Sequence, residues 1–265
     1  MTALSPEQLA AVGELQRLCA SLRADVVIIG AMAYRTWIDD KYRHTRDVDT
    51  AIAIDLDDFA RLAALLQERG WKQDLRREHR WYAPGDAWFD LIPAGPKLRA
   101  QQLLDWPKSG MKMSLVGFEH VFAKAQELHV STGLRIKVIP LAVLTLLKIV
   151  AYLDHPYERQ KDIEDLAATL LRYETPDALR FSDEALEANL SYETVAAYFA
   201  GKDLATLCSA TERALVEKLF SELTDESTRT FGIFARSVTH VLDEENTAAH
   251  TLVAAFKLGF SAQRK

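Results

Sequence analysis

Residues 43–54 read Arg43-His44-Thr45-Arg46-Asp47-Val48-Asp49-Thr50-Ala51-Ile52-Ala53-Ile54, and the fold is decided by how this stretch is read. Alternation and β-branching predict a strand, which puts Asp47 and Asp49 on one face with Cα atoms roughly 6.5 Å apart. Two ionised carboxylates at that spacing repel by about 2.5 kcal/mol at an effective dielectric of about 20. A divalent cation removes that penalty, and Mg²⁺ prefers carboxylate oxygens, keeping its other positions for water and substrate phosphate. An Asp-x-Asp pair alone is equally compatible with a solvated turn, so its neighbours carry the argument.

Upstream, Val26-Val27-Ile28-Ile29 is a continuous β-branched run that predicts a buried strand. Gly30 ends it and Ala31-Met32-Ala33-Tyr34-Arg35-Thr36-Trp37-Ile38 follows at helical spacing. Gly30 and Ala31 thereby stand at a strand-to-helix turn whose free N–H groups can hold phosphate oxygens. Downstream, residues 79–93 read as a hairpin around Pro84-Gly85-Asp86, with Asp90 inside an otherwise apolar strand of Trp88, Phe89, Leu91 and Ile92. A carboxylate there is costly to bury unless paired or metal-bound, which makes Asp90 the third candidate ligand beside Asp47 and Asp49.

These parts resemble the DNA polymerase β-like nucleotidyltransferase superfamily, and more closely the AbiEii/MenT-type toxin nucleotidyltransferases. The Arg-x-Thr-x-Asp-apolar-Asp pattern of that family is matched by Arg43, Thr45, Asp47, Val48 and Asp49. Its Lys-x-x-Ala and Arg-x-Lys-Asp-x-x-Asp-Leu signatures are matched by Lys148 to Ala151 and by Arg159 to Leu166. One departure is Ala31, where the family has a second Gly or a Ser; any hydroxyl contact to phosphate is lost and the backbone contact remains. The resemblance implies an α+β fold, a mixed sheet with flanking helices followed by a helical domain. It implies Mg²⁺ as cofactor, a nucleoside triphosphate as substrate and a cognate antitoxin protein as partner. It places Asp47, Asp49 and Asp90 as catalytic metal ligands. Gly30, Ala31, Arg43, Thr45, Lys148, Arg159, Lys161 and Asp162 are placed at the nucleotide, with Asp162 and Asp165 orienting basic side chains. The acceptor it implies is RNA, a tRNA 3′ end; the alternatives are an aminoglycoside-type antibiotic, or a nucleotide-binding module without catalysis.

The rest of the chain supplies the frame. At 265 residues, 49% hydrophobic and 26% charged, the composition is that of a globular protein of one large or two modest domains. The change of period at Pro140 divides it into a catalytic domain, 1–139, and a helical domain, 140–265. Only Cys19 and Cys208 occur, with no Cys-x-x-Cys or clustered Cys and His, so a disulfide framework or zinc site is unsupported. No leader and no apolar run near 18 residues is present, so a cytoplasmic protein without membrane contact is expected.

Net charge is −6, but residues 1–140 carry 19 Lys and Arg against 18 Asp and Glu, leaving the acidity to the C-terminal half. Lys41, Arg43, Arg46, Arg76, Arg77 and Arg80 are expected to form a basic approach to the acids, as a local field can attract polyphosphate on an acidic chain.

Ser5-Pro6-Glu7-Gln8 predicts a capped first helix. Asp55 is expected to cap a helix that Gly70 closes. Short strands are expected at 113–116, 119–122 and 134–139, a helix or loop at 103–106, and helices from Leu141 onward, with Ser182, Ser191 and Thr211 as caps. Lys161 and Asp165 have the spacing of an i,i+4 ion pair. His240 and His250 are too isolated to act as ligands, and Asp243-Glu244-Glu245 is expected to be an acidic loop.

Overall fold

The computed structural model describes residues 4–38, 47–131, 133–173, 175, 177–239 and 247–262. It divides into two compact units, Met1–Pro140 and Leu141–Lys265. Arg43, Thr45, Lys41, Arg46, His240 and the acidic stretch 243–245 lie outside the described residues.

The first unit runs α1 (Pro6–Ser21), β1 (Val26–Ile28), α2 (Gly30–Trp37), β2 (Asp47–Ile52), α3 (Leu56–Glu68), β3 (Lys72–Gln73), β4 (Arg80–Tyr82), β5 (Trp88–Pro93), α4 (Pro96–Gln101), β6 (Leu103–Asp105), β7 (Lys112–Ser114), α5 (Phe118–Lys124), β8 (Gln126–Ser131) and β9 (Leu134–Val138). Seven strands form one mixed sheet in the order β3-β4-β5-β2-β1-β9-β8, and β6 pairs with β7 apart from it. Hairpin pairs are antiparallel, whereas β2 with β5 and β1 with β9 are parallel.

Apart from the acids Asp47, Asp49 and Asp90, the central strands are largely apolar. Val27, Val48, Ala51, Ile52, Phe89 and Leu91 are fully buried, each large side chain contributing roughly 1.5–3 kcal/mol. Trp71, Trp81 and Trp106 complete the core.

Local signals account for the helix ends. Ser5 and Gln8 form the expected capping box on α1, with Pro6 in its first turn. The Trp37 indole N–H donates to the Ile139 carbonyl at 2.7 Å and fixes the end of α2. Asp55 stands at the N-terminus of α3, yet its side chain makes no cap there. Its Oδ1 instead accepts the Lys97 and Leu98 amides, both at 3.1 Å, and so caps α4.

Residues 103–105 pair as a strand rather than forming a helix or loop. Residues 118–124, expected in part as a strand, form α5 behind Gly117, with Phe118 and Val121 buried. β8 adds an edge strand that was not anticipated.

The second unit is helical: α6 (Leu141–Asp154), α7 (Gln160–Arg172), α8 (Asp177–Arg180), α9 (Asp183–Glu187), α10 (Val195–Leu207), α11 (Ala210–Leu223), α12 (Arg229–Thr239) and α13 (Thr247–Ser261). α10 and α13 pack so closely that a Cβ on Gly201 would lie 2.1 Å from the Phe256 carbonyl oxygen, and one on Gly259 1.9 Å from that of Tyr198. Ser182 caps α9. The cap of α11 is Ser209, in a capping box with Glu212, and Thr211 lies inside the first turn. Among the described residues, no helix is long and apolar enough to cross a membrane.

Candidate active site

Register builds the acid cluster. Asp47 and Asp49 are two residues apart on β2 and share a face, while the parallel pairing sets Asp49 directly opposite Asp90 on β5. One ligand oxygen from each of the three lies within 4.8 Å of the others. Asp90 is buried, and Asp47 and Asp49 are half-buried.

Gly30 shapes the wall of this cluster. Its φ is +65°, and a Cβ there would lie 1.9 Å from Asp49 Oδ2 and 2.8 Å from Asp49 Cβ. Any other residue would therefore displace the whole carboxylate and strain the backbone. The Ile29 amide donates to the Asp49 carbonyl at 2.9 Å, tying the start of α2 to β2. The first-turn amides of α2, those of Gly30 and Ala31, have no acceptor within the helix by geometry, which is the arrangement that suits an anion.

A residue outside the predicted ligand set bridges two of the three acids. The turn between β4 and β5 places Arg80 opposite Asp90. Arg80 Nε donates to Asp90 Oδ1, and Nη2 donates to Asp90 Oδ2 and to Asp47 Oδ2, all at 2.8 Å. These hydrogen bonds, Asp90 foremost, raise the guanidinium pKa further. Arg80 thus belongs to the acid cluster and not to a solvent-facing basic approach; Arg76 and Arg77 are exposed. The register could have revealed this, because a hairpin that pairs Tyr82 with Trp88 must pair Arg80 with Asp90.

Beside it, His79 Nε2 lies 3.9 Å from Asp90 Oδ2. Burial pushes the imidazole pKa below its ordinary value, against the opposing pull of Asp90. Asp74 fastens the preceding turn by accepting from the Tyr82 hydroxyl at 2.7 Å and the Arg76 amide at 2.8 Å. The Tyr82 hydrogen bond, then the Arg76 amide, pull its carboxyl down to about 2.

Of the other predicted residues, Lys148, Arg159 and Asp162 form a cluster with Asp165 within the helical unit. Lys148 is buried on α6, and its Nζ donates to Asp162 Oδ1 at 3.1 Å and Asp165 Oδ2 at 2.5 Å. Arg159, at the N-terminus of α7, donates to Asp162 Oδ2 at 2.7 Å. Asp165 is therefore paired with Lys148 and not with Lys161, which is exposed.

Removing Lys148 would take a buried cation from Asp165 and leave Arg159 as the cation on Asp162, and breaking a buried ion pair costs about 3–5 kcal/mol. Lys148→Ala should accordingly lower unfolding stability by that order in a urea titration. A loss below about 1 kcal/mol would contradict the ion-pair role.

The donor set fits a hard divalent cation: three carboxylates converge, and the position already accommodates the positive charge of Arg80.

Comparison with known proteins follows from this geometry. Solved structures with a related shape include an antigenic nucleotidyltransferase-like protein from Paracoccidioides brasiliensis, 18% identical over 69% of this chain and 85% of that one, at a TM-score of 0.42. The antibiotic-resistance factor ANT(2'')-Ia is 14% identical over 81% of this chain and 97% of its own, also at 0.42. A CCA-adding enzyme with ATP is 12% identical over 96% of this chain and 52% of its own, at 0.35. Such scores mark loose likeness of shape, and no substrate follows from them. No curated protein matches the chain. The family model described as "Nucleotidyl transferase AbiEii toxin, Type IV TA system" matches residues 15–244, a span that contains both the acid cluster and the Lys148 cluster; the chain belongs to that family and is a nucleotidyltransferase.

Proposed function

We propose that this enzyme moves a nucleoside monophosphate from a nucleoside triphosphate to the 3′-terminal hydroxyl of tRNA, acting with Mg²⁺ as the toxin of a pair whose antitoxin is a separate protein. The observation that carries the reading is the convergence of Asp47, Asp49 and Asp90 within 4.8 Å beside the glycine start of α2.

When bound, the divalent ion supplies Lewis-acid stabilisation of the attacking and leaving oxygens. Asp47 with Asp49, and Asp49 with Asp90, are the pairs that would hold such ions. The acceptor oxygen bonds to the α-phosphorus as the bond to the bridging oxygen breaks. Pyrophosphate leaves with the electron pair, and the hydroxyl proton passes to a carboxylate of the cluster. The Gly30 and Ala31 amides donate to phosphate oxygens whose charge grows as the bond breaks. Arg76 and Arg77, exposed beside β4, supply cations for an RNA backbone, whose binding should weaken steeply with salt.

The test is expression of the wild type and of Asp47→Ala, followed by sequencing of tRNA 3′ ends and a growth curve. Extended ends and slowed growth in the wild type alone support the reading. Unextended tRNA together with nucleotidylation of an added aminoglycoside would transfer the assignment to a small-molecule acceptor.

A further inference from the structure

Two of the three acids of the cluster share a cation supplied by the chain itself. Arg80 grips both oxygens of Asp90 in a fork and reaches Asp47 with the same Nη2, each contact 2.8 Å long. The side chains of Arg80 and Asp90 are both only 12% exposed, so solvent screens this pairing little. The sheet fixes the Arg80 backbone, on β4, opposite Asp90, and its guanidinium carbon lies 5.8 Å from the Trp88 ring centre.

The same carboxylates are two of the three that converge within 4.8 Å. A guanidinium and a divalent ion would draw on the same lone pairs and repel each other at short range.

We propose that Arg80 is a resident counter-cation that competes with the divalent ion for Asp47 and Asp90 and must withdraw from them before the ion is fully held. The inference rests on the reading of the cluster as a cation site. Arg80 is in this account a positioning residue. It keeps Asp47 and Asp90 together when no ion is bound, and it sets the ion concentration at which the site loads. Its loss should cost the ion-free protein stability while tightening ion binding, two effects of opposite sign that a purely structural arginine would not produce.

The experiment measures Mn²⁺ binding to the full chain, without nucleotide, from the paramagnetic resonance signal of free Mn²⁺. Wild type, Arg80→Met and Arg80→Lys are compared, each with a thermal melt in chelator and in Mn²⁺. Arg80→Met should bind Mn²⁺ about tenfold more tightly than wild type, melt lower in chelator, and recover more on adding Mn²⁺. Arg80→Lys, which keeps the charge and loses the fork, should fall between the two. Affinity in Arg80→Met equal to or weaker than wild type would overturn the competition while leaving the cation site intact. Absence of Mn²⁺ binding in both proteins at millimolar concentration would overturn the cation site itself, and this inference with it. If Arg80→Met fails to fold, Arg80→Lys decides: tighter binding than wild type supports the competition, and equal or weaker binding overturns it.

Discussion

Asp49→Asn should lower nucleotidyl transfer by about a thousandfold or more, because a carboxylate that holds a catalytic cation contributes several kcal/mol at the transition state. Asp49 is the pivotal member of the cluster: it shares a face with Asp47, stands opposite Asp90, and presses on Gly30. Asparagine keeps the shape and removes the charge. The fold should therefore survive, with the melting temperature within a few degrees of wild type, a shift that corresponds to roughly 1 kcal/mol. Single-turnover transfer rates and a thermal melt decide it. A variant that transfers at the wild-type rate would remove Asp49 from the chemistry.

Gly30→Ala should have a comparable effect by a different route. The backbone at Gly30 is left-handed, at φ +65°, and a side chain there costs about 1–2 kcal/mol. Its Cβ would also lie 2.7 Å from Asp49 Cγ and 2.8 Å from Asp49 Cβ. The carboxylate cannot avoid it by a small rotation, because the base of the side chain is in contact as well as its end. The variant should lose stability in a denaturant titration and lose transfer by about a hundredfold or more, a displaced group of 1 Å being enough for that. Activity close to wild type would mean that Asp49 tolerates displacement, and the geometric account of the cluster would fail.

The acid cluster was readable because burial imposes a price on isolated charge. Asp90 sits among Trp88, Phe89, Leu91 and Ile92, and that contradiction with its surroundings pointed to it directly. The strand-helix turn at Gly30 was visible in the switch of period from β1 to α2. Arg80 counts as surface charge in a composition, whereas the hairpin register sets it opposite Asp90.

Other differences have local causes. β8 is an edge strand of Gln126, Glu127, Leu128, His129, Val130 and Ser131, whose polar residues leave little apolar alternation to detect. α5 is seven residues long, too short for helical period to separate from strand alternation. Asp55 caps a helix distant in sequence, which no local pattern specifies. Lys148 has apolar neighbours on both sides, and these marked it as unusual; its partners Asp162 and Asp165 come from the next helix, whereas the i,i+4 rule had paired Asp165 with Lys161 on its own helix.

The proposed role of the three-acid cluster is metal-dependent nucleotidyl transfer. The most direct measurement incubates the purified wild type and Asp49→Asn with α-labelled nucleoside triphosphates and tRNA, with Mg²⁺ or with chelator, and follows both labelled RNA and released pyrophosphate. One pyrophosphate should be released per label incorporated, in the wild type with Mg²⁺ alone. Label transfer that persists in chelator, or in Asp49→Asn at the wild-type rate, would contradict it.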